Sequence, residues 1–123
     1  MRFWRGDALF DMGRTDELVA WGDRLDEDRR SVTEDLFDVR LARGYHHEIV
    51  GTLGDWTSRH PLRERPHRQL MLALYRSGRS HDASIAYRRL RHRLVEQAGV
   101  EPAPATQSLH HRILAADPPV VTL

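Results

Sequence analysis

Leu41-Ala42-Arg43-Gly44-Tyr45-His46-His47-Glu48 and, 34 residues later, Tyr75-Arg76-Ser77-Gly78-Arg79-Ser80-His81-Asp82 are the two stretches that decide the fold. In each, a run with helical apolar spacing meets a glycine, and an acidic residue follows four positions on. A glycine just past a helix accepts the left-handed conformation that ends it, and a carboxylate is favoured in the first turn of the next helix. Laying the second stretch over the first pairs Leu36 with Leu70, Leu41 with Tyr75, His47 with His81, Leu53 with Tyr87 and Trp56 with Leu90. The unit that repeats is therefore a helical hairpin.

A period of 34 is the spacing of tetratricopeptide repeats. Pro61 lies 17 residues after Gly44, where such a repeat places its terminal proline, whereas the second unit has Val95 there. One hairpin cannot bury its apolar face alone, so hairpins stack and the outer helices act as caps. The expected class is all-α, a tetratricopeptide-like helical repeat stack with flanking capping helices.

Working outward, apolar residues at Leu18, Trp21, Leu25, Val32, Leu36 and Val39 recur at spacings of three, four or seven. They predict a long first helix, capped by Thr15 and stopped by Gly44. A second helix is expected from His46 to His60, with Ile49, Val50, Leu53 and Trp56 buried. Gly51 and Gly54 weaken it by about 1 kcal/mol each relative to alanine, which suggests close approach of a neighbouring backbone. A third helix tolerates Pro66 in its first turn and turns Leu70, Met71, Leu74 and Tyr75 to one face. In a fourth, capped by Ser80, the residues Ala83, Tyr87, Leu90, Leu94 and Ala98 share a face before Gly99. Pro104 opens a last helix that buries Leu109, Ile113 and Leu114. Residues 1–118 then form the domain and 119–123 a loose tail. Strand alternation and hairpin-turn dipeptides are absent.

The 123 residues are 40% hydrophobic and 30% charged, with a net charge of +1, which suits one globular domain. No apolar run approaches the roughly 20 residues that cross a bilayer, and the first residues lack a signal peptide's apolar stretch. A cytoplasmic location without membrane contact is expected. The absence of cysteine excludes disulfides, thiolate catalysis and thiolate-bound zinc. All 19 basic residues are arginine. A GC-rich genome produces that bias, and so does selection for bidentate contacts to carboxylate or phosphate.

The residues that carry chemistry do not assemble into an active site. His46-His47-Glu48 and His110-His111 are adjacent in sequence and so point to different sides of a helix, and no His-x-x-x-His pair exists. No metal, cofactor or catalytic residue is expected. The acids of the first helix, Asp23 to Asp28, Glu34, Asp35 and Asp38, alternate with arginines and predict a solvated face with pairs four apart. Trp21 and Trp56 are expected in the core or between helices, and Trp4 to pin the N-terminal segment. The densest basic cluster is Arg88, Arg89, Arg91 and Arg93 with His92, a candidate interaction surface for an acidic partner or for phosphates. No aromatic residue interleaves it, so it is not a base-stacking platform. Tyr45, Tyr75 and Tyr87 are candidates for lining a concave groove.

Several linked motifs carry a resemblance that covers nearly the whole chain. They are His60-Pro61-Leu62-Arg63-Glu64-Arg65, Leu70 to Arg79, Ala86-Tyr87-Arg88-Arg89-Leu90-Arg91 and Gly99-Val100-Glu101-Pro102. In this order they resemble the bacterial transcriptional activator domain of Streptomyces antibiotic regulatory proteins. Trp4-Arg5-Gly6-Asp7-Ala8-Leu9 looks like the start of that domain and Leu109 to Leu114 like its last helix. The winged-helix DNA-binding domain that normally precedes it is not among these residues, nor is the Gly-x-x-x-x-Gly-Lys loop of the family's ATPase-bearing members. Promoter reading is therefore not carried over, and DNA contact is expected to be auxiliary and non-specific. The resemblance implies a non-catalytic platform that supports transcription activation through dimerisation, RNA polymerase or another regulator domain. The other reading is a stand-alone scaffold that binds a peptide or small ligand in its groove.

Overall fold

The computed structural model describes residues 15–116. They form α1 (Thr15–Ala42), α2 (His46–Arg59), α3 (Glu64–Arg76), α4 (Ser80–Arg93), a π-helical turn (Leu94–Ala98) that continues α4, and α5 (Pro104–Ala116). No strand occurs among the described residues. The chain divides into two compact units, residues 1–35 and 36–123. The expected roles of Trp4 and of the tail 119–123 fall outside the described residues.

The repeat is real at the level of individual hydrogen bonds. Gly44 and Gly78 take φ of +87° and +79°. Past the first glycine, Tyr45 N donates to Arg40 O at 3.0 Å and Gly44 N to Leu41 O at 3.1 Å. Past the second, Arg79 N donates to Leu74 O at 2.8 Å and Gly78 N to Tyr75 O at 3.0 Å. Both pairs are Schellman closures, and every donor and acceptor is displaced by 34 positions.

The second unit contains two linked core clusters. Phe37 and Leu41 of α1 pack with Ile49 and Leu53 of α2 and Ala73 of α3. Met71 and Leu74 of α3 pack with Ala83 of α4 and Ile113 of α5. Helix α3 touches α2, α4 and α5, which explains why it buries residues around most of its circumference. Trp56 lies edge-on to Phe37, ring centroids 5.8 Å apart and planes at 78°, so it is the inter-helix contact expected of it.

Several expected details differ. In α1 the buried apolar residues are Phe37 and Leu41, while Trp21, Val32, Leu36 and Val39 are exposed by 53%, 57%, 59% and 47%. The helix carries two apolar stripes, and periodicity alone does not rank them. Glu34, counted with the solvated acids, is fully buried. The surface ion pairs Arg29–Asp26 and Arg30–Glu27 are three apart. A Cβ added at Gly51 or Gly54 would meet nothing within 4 Å, so no backbone approaches there. Helix α4 starts at Ser80 with Arg79 as the residue before it. Its end widens into the π-helical turn, leaving Ala98 exposed, and Leu114 of α5 is exposed as well. Pro104 does begin α5.

Candidate interaction surfaces

Two arginine-bearing surfaces emerge from the second unit, one on α4 and one between α3 and α5. On α4 the hundred-degree step of the helix separates the cluster expected from sequence. Arg88, Arg89, His92 and Arg93 surround Ile85 in a shallow depression. Arg91 turns away and binds Glu101 through two bonds of 2.7 and 2.9 Å. That bidentate pair staples the Gly99–Pro102 loop to α4 and raises the Arg91 pKa, first through the hydrogen bond and then through the carboxylate's charge. The ridge thus retains Arg88, Arg89 and Arg93. Arg88 donates to Ser84 Oγ at 3.2 Å, and no carboxylate pairs with Arg89 or Arg93 among the described residues.

Behind the ridge lies His67, whose protonated Nδ1 donates to Arg63 O at 2.6 Å. Burial depresses its pKa, partly offset by that bond and reinforced by the charge of Arg93. Burial thus favours the neutral form of His67 near the ridge. Tyr87 stacks flat on His110 of α5, centroids 4.0 Å apart and planes at 7°. Ser84 Oγ lies 2.9 Å from His110 Nε2, so its hydroxyl can accept from Arg88 and donate to a neutral imidazole. Burial, then the charges of His111 and Arg88, lower the His110 pKa.

The second surface is a cleft of about 600 Å³ between the end of α1, α3 and α5. Its apolar floor includes Leu41, Leu72, Leu109 and Ile113, and Arg65, Arg68, Arg76 and Arg112 line its sides. Arg65 donates to Asp38 at 2.7 Å and Gln69 to the same carboxylate at 2.7 Å. Burial alone would raise the Asp38 pKa, yet these hydrogen bonds and the charges of Arg65 and Arg68 hold it below the ordinary value. The cleft does not stand out in the sequence because its arginines lie scattered over three turns of α3 and on α5. The signal was present: Arg65, Arg68 and Arg76 share one side of α3 at helical spacing.

Of the tyrosines expected to line a groove, Tyr75 and Tyr87 pack against the same core cluster. Tyr75 lines the cleft, Tyr45 is exposed at the turn before α2, and Tyr87 is taken up by His110. His47 and His81, equivalent in the repeat, are both exposed. Among the described residues no three histidine, aspartate or glutamate side chains assemble as a metal site. No helix among them is long and apolar enough to cross a membrane.

One polar network fixes the far wall of the cleft. Glu64, the first residue of α3, accepts from Ala103 N at 2.9 Å and from Thr106 Oγ1 at 2.7 Å. Thr106, fully buried, also receives Arg68 Nη1 at 2.9 Å. A single carboxylate thus serves the N-terminal ends of α3 and α5, where orphan N–H groups and the helix dipoles favour negative charge.

Residues 1–114 match the family described as the bacterial transcriptional activator domain. The chain is 42% identical over 115 residues to Regulatory protein DnrI of Streptomyces peucetius, covering 94% of this chain and 42% of that protein. It is 46% identical over 100 residues to Regulatory protein AfsR of Streptomyces coelicolor, covering 81% of this chain and 10% of that one. The solved structure of Mycobacterium tuberculosis EmbR, determined in complex with a low-affinity phosphopeptide, matches with a TM-score of 0.80 at 32% identity. That match covers 95% of this chain and 31% of EmbR. The chain therefore spans less than half the length of these relatives. With the glycine-closed hairpins, the described helices and this match in agreement, the chain belongs to the bacterial transcriptional activator domain family.

Proposed function

We propose that the chain is a cytoplasmic, non-catalytic docking module of a transcriptional regulator, which supports activation by presenting the α4 ridge to RNA polymerase or to another regulator domain, a second copy included. The carrying observation is the ridge itself. Arg88, Arg89 and Arg93 stand on one side of α4 without a carboxylate partner among the described residues, while Arg91 beside them is neutralised by Glu101. A basic patch kept unpaired is suited to steer and orient an acidic surface. It acts by shape and charge, and no bond is made or broken. Contact with DNA phosphates would be an auxiliary use of the same charges.

Capture of purified RNA polymerase by the immobilised chain tests this, alongside sedimentation for dimerisation. The double charge reversal Arg89→Glu with Arg93→Glu is expected to weaken capture or dimerisation by about tenfold or more. A chain that neither captures polymerase nor self-associates would overturn the proposal, as would a double variant that does both like the parent.

A further inference from the structure

The cleft between α3 and α5 has no part in the ridge's role, and its chemistry differs. Its floor is apolar, with Leu41 and Ile113 buried and Leu72 and Leu109 half-buried. Its sides carry four arginines against one carboxylate, Asp38, although the whole chain has a net charge of only +1. Arg65 and Arg68 are held in place by Asp38 and Thr106. Arg76 and Arg112 are exposed and form no ion pair among the described residues. We infer that this cleft is a second binding site, one that takes an acidic amphipathic segment of a partner protein, apolar side chains on the floor and carboxylates against Arg76 and Arg112.

Two features select that occupant. A nucleic-acid backbone presents phosphates and no apolar face, and interfaces with DNA are more polar than this floor. A helical or extended peptide with alternating apolar and acidic faces satisfies both parts at once, in the groove-binding mode that repeat folds and helix-in-groove recognition share. A volume of about 600 Å³ admits a few side chains of such a segment. The two held arginines lower the ordering cost on binding, and Arg76 and Arg112, without an ion pair among the described residues, supply carboxylate contacts of the bidentate kind.

The test uses a fluorescein-labelled peptide with leucines at helical spacing and glutamates elsewhere, read by anisotropy against the full chain. A counterpart with lysine in place of glutamate and a duplex DNA serve as competitors. Arg76→Glu with Arg112→Glu is expected to weaken the acidic peptide at least about tenfold, whereas the ridge pair Arg89→Glu with Arg93→Glu leaves it within about twofold. In the parent chain, amide shifts on peptide addition are expected at Leu72, Tyr75, Leu109 and Ile113, a readout that holds even if a variant fails to fold. Equal binding of the lysine peptide, equal loss in both double variants, or shifts confined to α4 would overturn the inference. So would displacement of the peptide by duplex DNA, which gives the cleft to nucleic acid. Self-association abolished by the Arg76 and Arg112 reversals would likewise give it to a second copy. The ridge's capture of polymerase is measured separately, so either proposal can fail alone.

Discussion

The two hairpins, α1–α2 and α3–α4, close on the same hydrogen bonds yet fill equivalent core positions with different side chains. Phe37 answers Met71, Ile49 answers Ala83, and Leu53 answers Tyr87. Leu53 is wholly buried, whereas its counterpart Tyr87 is half-exposed and stacks on His110. The backbone turn thus repeats faithfully while the packing is adapted to each hairpin's neighbours. The second hairpin holds the helix that touches three others, the α4 ridge, three of the cleft's four arginines and the carboxylate that anchors α5.

That contrast makes its sharpest prediction at the aligned pair. Leu53→Ala should cost about 2–5 kcal/mol, as for other buried leucines. Tyr87→Ala should cost less, because part of the ring already meets solvent. Urea unfolding of both variants checks this, and equal losses would break the asymmetry. Next is Glu64→Ala, which strips partners from Ala103 N and Thr106 Oγ1 and should cost about 1–3 kcal/mol. Hydrogen exchange should localise the loss to α5. The glycines come third. At Gly44 and at Gly78 alanine meets no atom within 4 Å, so only the left-handed backbone opposes it, at about 1–2 kcal/mol each. Near-equal costs would confirm that the turns are alike, and a large difference would mean they are not.

Gly51→Ala has the opposite sign. The site is exposed, helical and open, so a gain of up to about 1 kcal/mol in thermal or urea stability is expected. Finally, the second hairpin has a buried histidine, His67, where the first has Thr33. Burial lowers its folded pKa below the unfolded value, so the unfolded chain binds the proton first. Stability should be fully present above about pH 6.5 and decline as pH falls toward the lowered folded pKa. His67→Gln should flatten that slope in melts recorded between pH 7 and 5, with His46 and His110, lowered in the same direction, supplying what remains.

Much of the fold was legible because glycine, proline and helical spacing act locally. Gly44, Gly78 and Gly99 each take positive φ, and Pro104 begins its helix. What was not legible depended on which neighbour a face meets. Leu36 and Val39 look as apolar as Phe37 and Leu41, and only tertiary packing distinguishes them. The π-helical turn arises from a widened ladder, with Gly99 N donating to Leu94 O five residues back, for which no residue type is diagnostic. The ridge was visible because its arginines are contiguous, though Arg91 left it for Glu101. The cleft was not, because it is assembled from three helices.

The link from Glu64 to Ala103 and Thr106 bears on more than anchoring. Helix α5 supplies one wall of the cleft, so whatever loosens that carboxylate opens the cleft as well. A partner seated against both α3 and α5 would hold them together, and amides of α5 would then exchange more slowly although the partner touches few of them. The stability of the last helix and the occupancy of the cleft would be two readings of one equilibrium.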